Sequence, residues 1–374
     1  MKYRARYIII IGGFVLCLAM ALIVRRQTRR VQSQQVALTG ASLAECTSLE
    51  PIDAHTHVTR FGPAFVGMLE RLHMHVLVIL YVDDTDPNHV GMEPQKQNAL
   101  KFMSSSMGHA QLCTTFDPFQ FNNANFAEEA IKALDQDFAK GAVAAKIWKN
   151  IGMEIKNASG QYVMPDDPRL EPIYKNIAAH DKTLIAHVAE PDAAWGSQDP
   201  TVSNRKYYEE HPQWNMSRNP DAPPKDALLQ ARDHLVAMNP KLRVVGAHFG
   251  SMEDRLDDLA VRFDLYPNFA VDTAARMPTV VLQSRAKVRA FILKYQDRIL
   301  YGSDRHFYEG PADQAMASSW EKQYALDWRY FSTGDTFEYQ GHKVEGLDLP
   351  LTVLKKLYHD NAVRWIPGID GAPH

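Results

Sequence analysis

The stretch Pro51-Ile-Asp-Ala-His-Thr-His-Val58 puts two histidines, His55 and His57, two residues apart at the end of a short apolar run. In an extended strand, residues i and i+2 project to the same face, so both imidazoles can converge on one metal ion. Three more polar residues end apolar, strand-like runs: His187 after Thr183-Leu-Ile-Ala, His248 after Val244-Val-Gly-Ala, and Asp304 after Ile299-Leu-Tyr-Gly-Ser. Any one histidine in such a place is ordinarily a hydrogen-bonded core or rim residue. A series of strands that each end in a potential ligand is what a (β/α)8 barrel needs, because its active site is assembled from the carboxyl ends of different strands.

The elements that must hold these residues follow the same pattern. Candidate strands lie at 51–55, 75–81, 110–116, 142–148, 183–188, 243–248, 268–272 and 298–303. Between them apolar residues recur at helical spacing, as in Ile131, Leu134 and Phe138, or Leu256, Leu259, Ala260 and Phe263. This alternation predicts an α/β chain of (β/α)8 TIM-barrel type over residues 50–370. The long gap between His187 and Val244 carries Trp195, Tyr207, Tyr208, Trp214 and Arg218, and reads as a loop over the barrel mouth. A second insertion after Asp304 carries Trp320, Tyr324, Trp328 and Tyr330, read as lid packing ahead of direct substrate contact.

The chain has 374 residues, 45% hydrophobic and 23% charged, enough to bury a large core. Lys2, Arg4, Arg6, Arg25, Arg26, Arg29 and Arg30 all precede Glu45, the first acid, so the rest of the chain is acidic and offers no footprint for nucleic acid. Tyr7 to Val24 is almost uninterruptedly apolar and long enough to cross a hydrocarbon core of about 30 Å as a helix. Residues 1–26 are therefore expected to be a single-pass membrane anchor and 27–49 a linker. A cleaved signal peptide is the competing reading, but Val24 runs directly into Arg25 and Arg26 with no small-residue cleavage site. Basic residues on both sides nearly balance the positive-inside rule. The short charged N-terminus favours a periplasmic or other extracytoplasmic catalytic domain, and the following arginines argue for the cytoplasmic face. Of the cysteines, Cys17 lies in the anchor, leaving a Cys46–Cys113 disulfide as an option without implying a framework.

The order Asp53-Ala-His-Thr-His57, "LIAHV", "VVGAHFG", "ILYGSD" and the closing "LDLPLTVLKKLYHDNAVRWI" resembles the amidohydrolase superfamily over about Glu50 to Ile366. The resemblance is to its amidohydrolase-related branch, which contains aminocarboxymuconate semialdehyde decarboxylase and related hydrolases, decarboxylases and hydratases. It is specific for fold and metal site, and says little of substrate. A catalytic divalent ion needs several fixed ligands and an open position for water; His55, His57, His187 and Asp304 would supply three neutral nitrogens and one carboxylate. Such an ion brings the pKa of its water to about 7. Asp304 could accept that proton and return it to a leaving group, a double role the resemblance also implies.

The resemblance makes His248 a neighbour that orients or deprotonates the water; the alternative makes it a ligand to a second ion. That choice turns on Lys146, which ends "GAVAAK" where some superfamily members carry a carboxylated lysine bridging two ions. The expected content is one divalent ion, zinc before manganese, iron or nickel, with two if Lys146 is carboxylated. Otherwise Lys146 anchors a substrate carboxylate or pairs within the protein. "KIWKNIG" departs from the shorter polar turn of many relatives, and strand alternation sets Lys146 and Trp148 on one face with Lys149 on the other. Asp53 could fix a ligand imidazole, cap the strand or pair with a base. Glu190 either reaches substrate or is a loop carboxylate held by Arg205 or Arg218; Arg305 and His306 are placed to bind an anionic group, with solvated loop side chains as the other reading.

Three function classes remain. The leading one is a metal-dependent hydrolase acting on an amide, ester or lactone-like bond of a small organic molecule. The second is a non-oxidative decarboxylase or hydratase of an unsaturated or aromatic carboxylic acid, which needs a cationic carboxylate pocket. The third, a non-catalytic membrane-tethered binding protein, has no use for five converging metal-type residues. Barrels of this kind are compatible with a homo-oligomer, and no residue pattern demonstrates one.

Overall fold

Short runs of valine, isoleucine, leucine and alanine form parallel strands buried on both faces, the composition expected where helices cover a parallel sheet. The computed structural model describes residues 43–83, 91–199, 205–308 and 312–371. In chain order the strands are β1 (Ile52–Val58), β2 (His75–Ile79), β3 (Ala110–Thr115), β4 (Ala144–Ile147), β5 (Thr183–Ala186), β6 (Arg243–Gly246), β7 (Phe269–Asp272), β8 (Ile299–Leu300) and β9 (Arg305–Phe307). They form one nine-stranded sheet in the order β8-β7-β6-β5-β4-β3-β2-β1-β9, with parallel pairing between all neighbours.

The two ends of that row are consecutive in the chain. The Tyr301 carbonyl accepts from the Ala54 N–H at 2.9 Å, and the Asp304 N–H donates to the His55 carbonyl at 2.8 Å. The sheet therefore curls back on itself, a TIM-like α/β arrangement. All eight expected strands are present, the last shortened from 298–303 to Ile299–Leu300; beyond Gly302-Ser303-Asp304, where Asp304 takes a left-handed φ of 59°, a ninth strand that was not expected, β9, pairs with β1. Gly302 has no room for a side chain: a Cβ there would lie 3.0 Å from the Cβ of His55 and 3.4 Å from those of Ala274 and Asp272. Gly302→Ala is expected to destabilise the protein by about 1–3 kcal/mol through overpacking. An unchanged denaturant midpoint would show that the backbone here can give way.

Ile52, Leu77, Ile185, Val245 and Leu300 pack inside the curl, where Trp365, Ile366 and Ile369 of the C-terminal segment meet them. The Asn361 side chain donates to the Ile299 carbonyl, so this segment is pinned to the start of β8. Outside, the helices Pro63–Leu72 and Asp313–Ser332 pack together. Trp320 meets Phe65 and Phe307, and the Tyr324 hydroxyl donates to Asp53. The aromatics expected in a lid thus belong to this outer layer. A helix of 20 residues has one face toward the core and the other toward water, which selects this mixed pattern.

The expected membrane location is corrected. Among the described residues no helix is long and apolar enough to cross a membrane. Even Asp313–Ser332 is interrupted by Asp313, Glu321, Lys322, Asp327 and Arg329. The segment Tyr7 to Val24, with the anchor and most of the linker, lies outside the described residues. Cys46 and Cys113 are buried free thiols, so no disulfide joins them.

Candidate functional site

The β1–β2 pairing shifts register between Asp53 and Thr56; beyond Asp53, His57 lines the carboxyl-end cavity and the fully buried His55 reaches Asp304 beneath it. β4 brings Lys146 there, β5 ends before His187, and β6 ends before His248, which adopts a left-handed φ of 61°. Asp272 at the end of β7 holds that turn by accepting the His248 N–H at 2.8 Å.

Each imidazole has one nitrogen committed to the protein. His57 Nδ1 lies 2.8 Å from the Ile79 carbonyl and His248 Nδ1 2.9 Å from the Ala274 carbonyl. A carbonyl only accepts, so these Nδ1 atoms carry the protons and the Nε2 atoms present lone pairs. His55 Nδ1 meets Asp272 Oδ2 at 2.8 Å by the same logic. His187 Nδ1 then donates to His248 Nε2 at 3.2 Å, leaving His187 Nε2 buried without a hydrogen-bond partner. Asp304 Oδ1 lies 3.2 Å from His57 Nε2 and 3.4 Å from His55 Nε2. A carboxylate oxygen facing two nitrogen lone pairs is a set of acceptors with no proton between them, an arrangement a divalent cation satisfies.

The electrostatics agree. Burial pushes His55 and His187 well below the usual histidine range and His248 down to about 3. His57 is lowered for the same reason. Burial opposes a charge on Asp304, and His248, His57 and His55 around it outweigh that and hold the carboxyl well below its usual range. That lowering of Asp304 presupposes positive charge at its oxygens, which imidazoles kept neutral by burial do not carry and a bound cation would supply. Burial also lowers Lys146, whose Nζ lies 3.1 Å from His55 Nε2.

Ligand atoms of His55, His248 and Asp304 lie within 4.8 Å of one another, as do those of His57, Asp304 and His306. His187 joins through His248. His306, exposed at the cavity, stacks on His57 with ring centroids 4.5 Å apart. Asp53 bonds no imidazole: it accepts from the Ser303 N–H at 2.9 Å, the Ser303 hydroxyl at 2.6 Å and Tyr324, tying β1 to the segment after β8. Burial pushes it up to about 7. The residue fixing His55 is Asp272, which ends "FAVD" as the histidines end their strands; that was the available signal.

Above the imidazoles lies a cavity of about 330 Å³, walled by Tyr81, Trp148 and Tyr207 and reaching Lys149, Glu190 and Arg276. Lys149 Nζ meets Glu190 Oε1 at 2.5 Å, against the expectation that it faces away. β4 stops at Ile147 and Lys149 has helical angles, φ −54° and ψ −18°, so strand alternation no longer applies to it. Glu190 is buried with Lys149, Tyr208 and Arg276 as partners. Arg305 does not line this cavity; its Nη2 donates to the Ser319 hydroxyl at 2.7 Å, because β9 turns the side chain outward toward the helix Asp313–Ser332.

The sequence profile of the family described as Amidohydrolase matches residues 52–367. Similar solved structures include 2,6-dihydroxybenzoate decarboxylase from Rhizobium, 14% identical over 84% of this chain and 98% of that one, TM-score 0.47. A dihydroxybenzoic acid decarboxylase from Polaromonas sp. JS666, with bound manganese and the inhibitor 2-nitroresorcinol, is 12% identical over 84% and 97%, TM-score 0.48. Dihydroorotase from Campylobacter jejuni is 13% identical over 84% and 82%, TM-score 0.43. No curated protein matches the chain.

Proposed function

The chain belongs to the amidohydrolase family, and on that premise we propose that residues 50–370 are one closed (β/α)8 catalytic domain, a metal-dependent hydrolase of an amide, ester or lactone-like bond in a small organic substrate. The observation that carries this reading is the meeting of Asp304 Oδ1 with the unprotonated Nε2 atoms of His55 and His57. His55, His57, His187 and Asp304 are the residues that would hold the ion, with the unpartnered His187 Nε2 as the fourth donor. Zinc suits these ligands, and manganese, iron or nickel are compatible. When bound, the ion supplies a Lewis acid and a water that ionises near pH 7.

The protein's own residues do the rest. Asp304, its side chain 24% exposed, accepts the proton of the attacking water and returns it to the leaving group. His248 sits beside them with Nδ1 anchored on the Ala274 carbonyl and Nε2 accepting from His187 Nδ1, and it orients the water once that second bond gives way. Asp272 fixes the tautomer and ring plane of His55. Lys146 Nζ, 3.1 Å from His55 Nε2, holds the place beside that ligand atom and would have to release it when the ion binds; if carboxylated it would instead join a second ion with His248.

A second reading, decarboxylation or hydration of an unsaturated or aromatic acid, is favoured by the cationic Lys149 and Arg276 at the cavity. The two separate in one experiment. Zinc- and manganese-loaded protein is offered aryl esters, lactones, N-acyl amino acids and hydroxybenzoic acids, with product chromatography and carbon dioxide detection. Hydrolysis without carbon dioxide is the expected result. Carbon dioxide release alone establishes the second reading, and no turnover of any compound defeats both.

A further inference from the structure

Three cationic side chains line the cavity, and they are not equally free to meet a ligand. Lys146 donates to His55 Nε2 at 3.1 Å. Lys149 is engaged by Glu190 at 2.5 Å and the Tyr207 hydroxyl at 3.2 Å, and its ammonium lies 4.4 Å from the Trp214 ring centroid and 5.1 Å from those of Trp148 and Tyr207. Such a caged, ion-paired ammonium is already solvated by the protein.

Arg276 differs. Its Nη2 reaches Glu190 Oε2 only at 3.3 Å, and its Nε lies 3.3 Å from Glu253 Oε1 without hydrogen-bond geometry. Charge-assisted N–H···O bonds are ordinarily about 2.7–2.9 Å long. Arg276 Nε and both Glu253 oxygens are buried without hydrogen-bond partners. Burial raises the Glu253 pKa and Arg276 opposes that rise. Nε is turned toward Glu253, away from the cavity, while the guanidinium, 3% exposed at the cavity wall, makes one long hydrogen bond to Glu190 through Nη2, so its outer N–H donors are available to an anion.

We propose that Arg276 is the anion receptor of this site, taking the carboxylate of a small planar organic acid, with Glu190 and Glu253 holding it in place without satisfying it. This rests on the proposed use of the cavity as a substrate site. A single fork of N–H donors matches a two-oxygen monoanion, and the aromatic walls of Tyr81, Trp148 and Tyr207 suit a flat body. Arg276 is thereby a residue that selects acids over their neutral amides, and Lys149 a positioning residue that fixes Glu190.

The test uses benzoate and its neutral counterpart benzamide, by calorimetry on the full chain, both metal-loaded and chelated. Wild-type protein is expected to bind benzoate at least tenfold more tightly than benzamide in both states, and Arg276→Gln to level the two. Because Arg276→Gln leaves Glu190 and Glu253 facing each other and can impair folding, Arg276→Lys is measured beside it, with circular dichroism on both. Arg276→Lys keeps the charge, loses the fork and is expected to retain a preference at least threefold smaller than wild type. Absence of benzoate binding, equal binding of the two by wild type, or a preference unchanged in either folded variant overturns the proposal. Metal uptake is measured on the same samples. Protein that binds no metal yet prefers benzoate through Arg276 removes the hydrolase reading and leaves the receptor standing; metal uptake without the preference does the reverse.

Discussion

Asp304→Asn is expected to lower kcat/KM by at least about a thousandfold, some 4 kcal/mol of transition-state stabilisation, with the fold retained. Asp304 stands in the left-handed region at φ 59°, which asparagine tolerates as readily as aspartate, and its N–H to the His55 carbonyl is untouched by the change. What changes is the Oδ1 that lies 3.2 Å from His57 Nε2 and 3.4 Å from His55 Nε2. An amide there carries no charge and can turn an N–H toward the His57 lone pair, converting a metal-binding cluster into an ordinary hydrogen bond. Removing the charge also removes the group that takes and returns the water's proton. The thermal midpoint is expected to stay within a few degrees of wild type, and metal content to fall. Activity within tenfold of wild type, in folded protein, would remove Asp304 from the reaction.

Much of this arrangement could be read from the sequence because it depends on short-range pattern. Each strand is an apolar run, and the residue following it faces the carboxyl end of the sheet, so His187, His248 and Asp304 were legible as partners of His55 and His57 although more than 240 residues separate the first from the last. Asp272, at the end of "FAVD", obeys the same rule, although an aspartate in that place also has many ordinary roles. Three features were not legible, each for a physical reason. The register shift in β1 is a matter of pairing with β2, which no local periodicity records. Lys149 comes to the cavity because β4 ends at Ile147 and the chain enters a helical turn, a boundary shift of about two residues that reverses a side chain's direction. Arg276 follows β7 by four residues and is defined by its incomplete contacts with Glu190 and Glu253, which exist only in three dimensions.

The same geometry sets what should happen when metal is withdrawn. Treatment with a strong chelator is expected to abolish turnover and to lower the thermal midpoint, and about one equivalent of zinc or manganese per chain should restore both. The size of the thermal effect follows from mass action, since an ion present at a thousandfold excess over its Kd stabilises the folded state by about 4 kcal/mol. Without it, Asp304 Oδ1 and the lone pairs of His55 and His57 are left facing one another across 3.2 to 3.4 Å, and the buried His187 Nε2 has no partner. His55 Nε2 is partnered by Lys146 and Asp304 is part exposed, so the one buried acceptor of this cluster left without a hydrogen bond among the described residues, His187 Nε2, sets the cost of emptying it at about 1–3 kcal/mol. Two equivalents instead of one would draw Lys146 and His248 into the metal shell, and Lys146→Met should then return the content to one. A chelated protein with full activity and an unchanged midpoint would mean that these acceptors are satisfied by water alone, and the metal-dependent reading would fall with it.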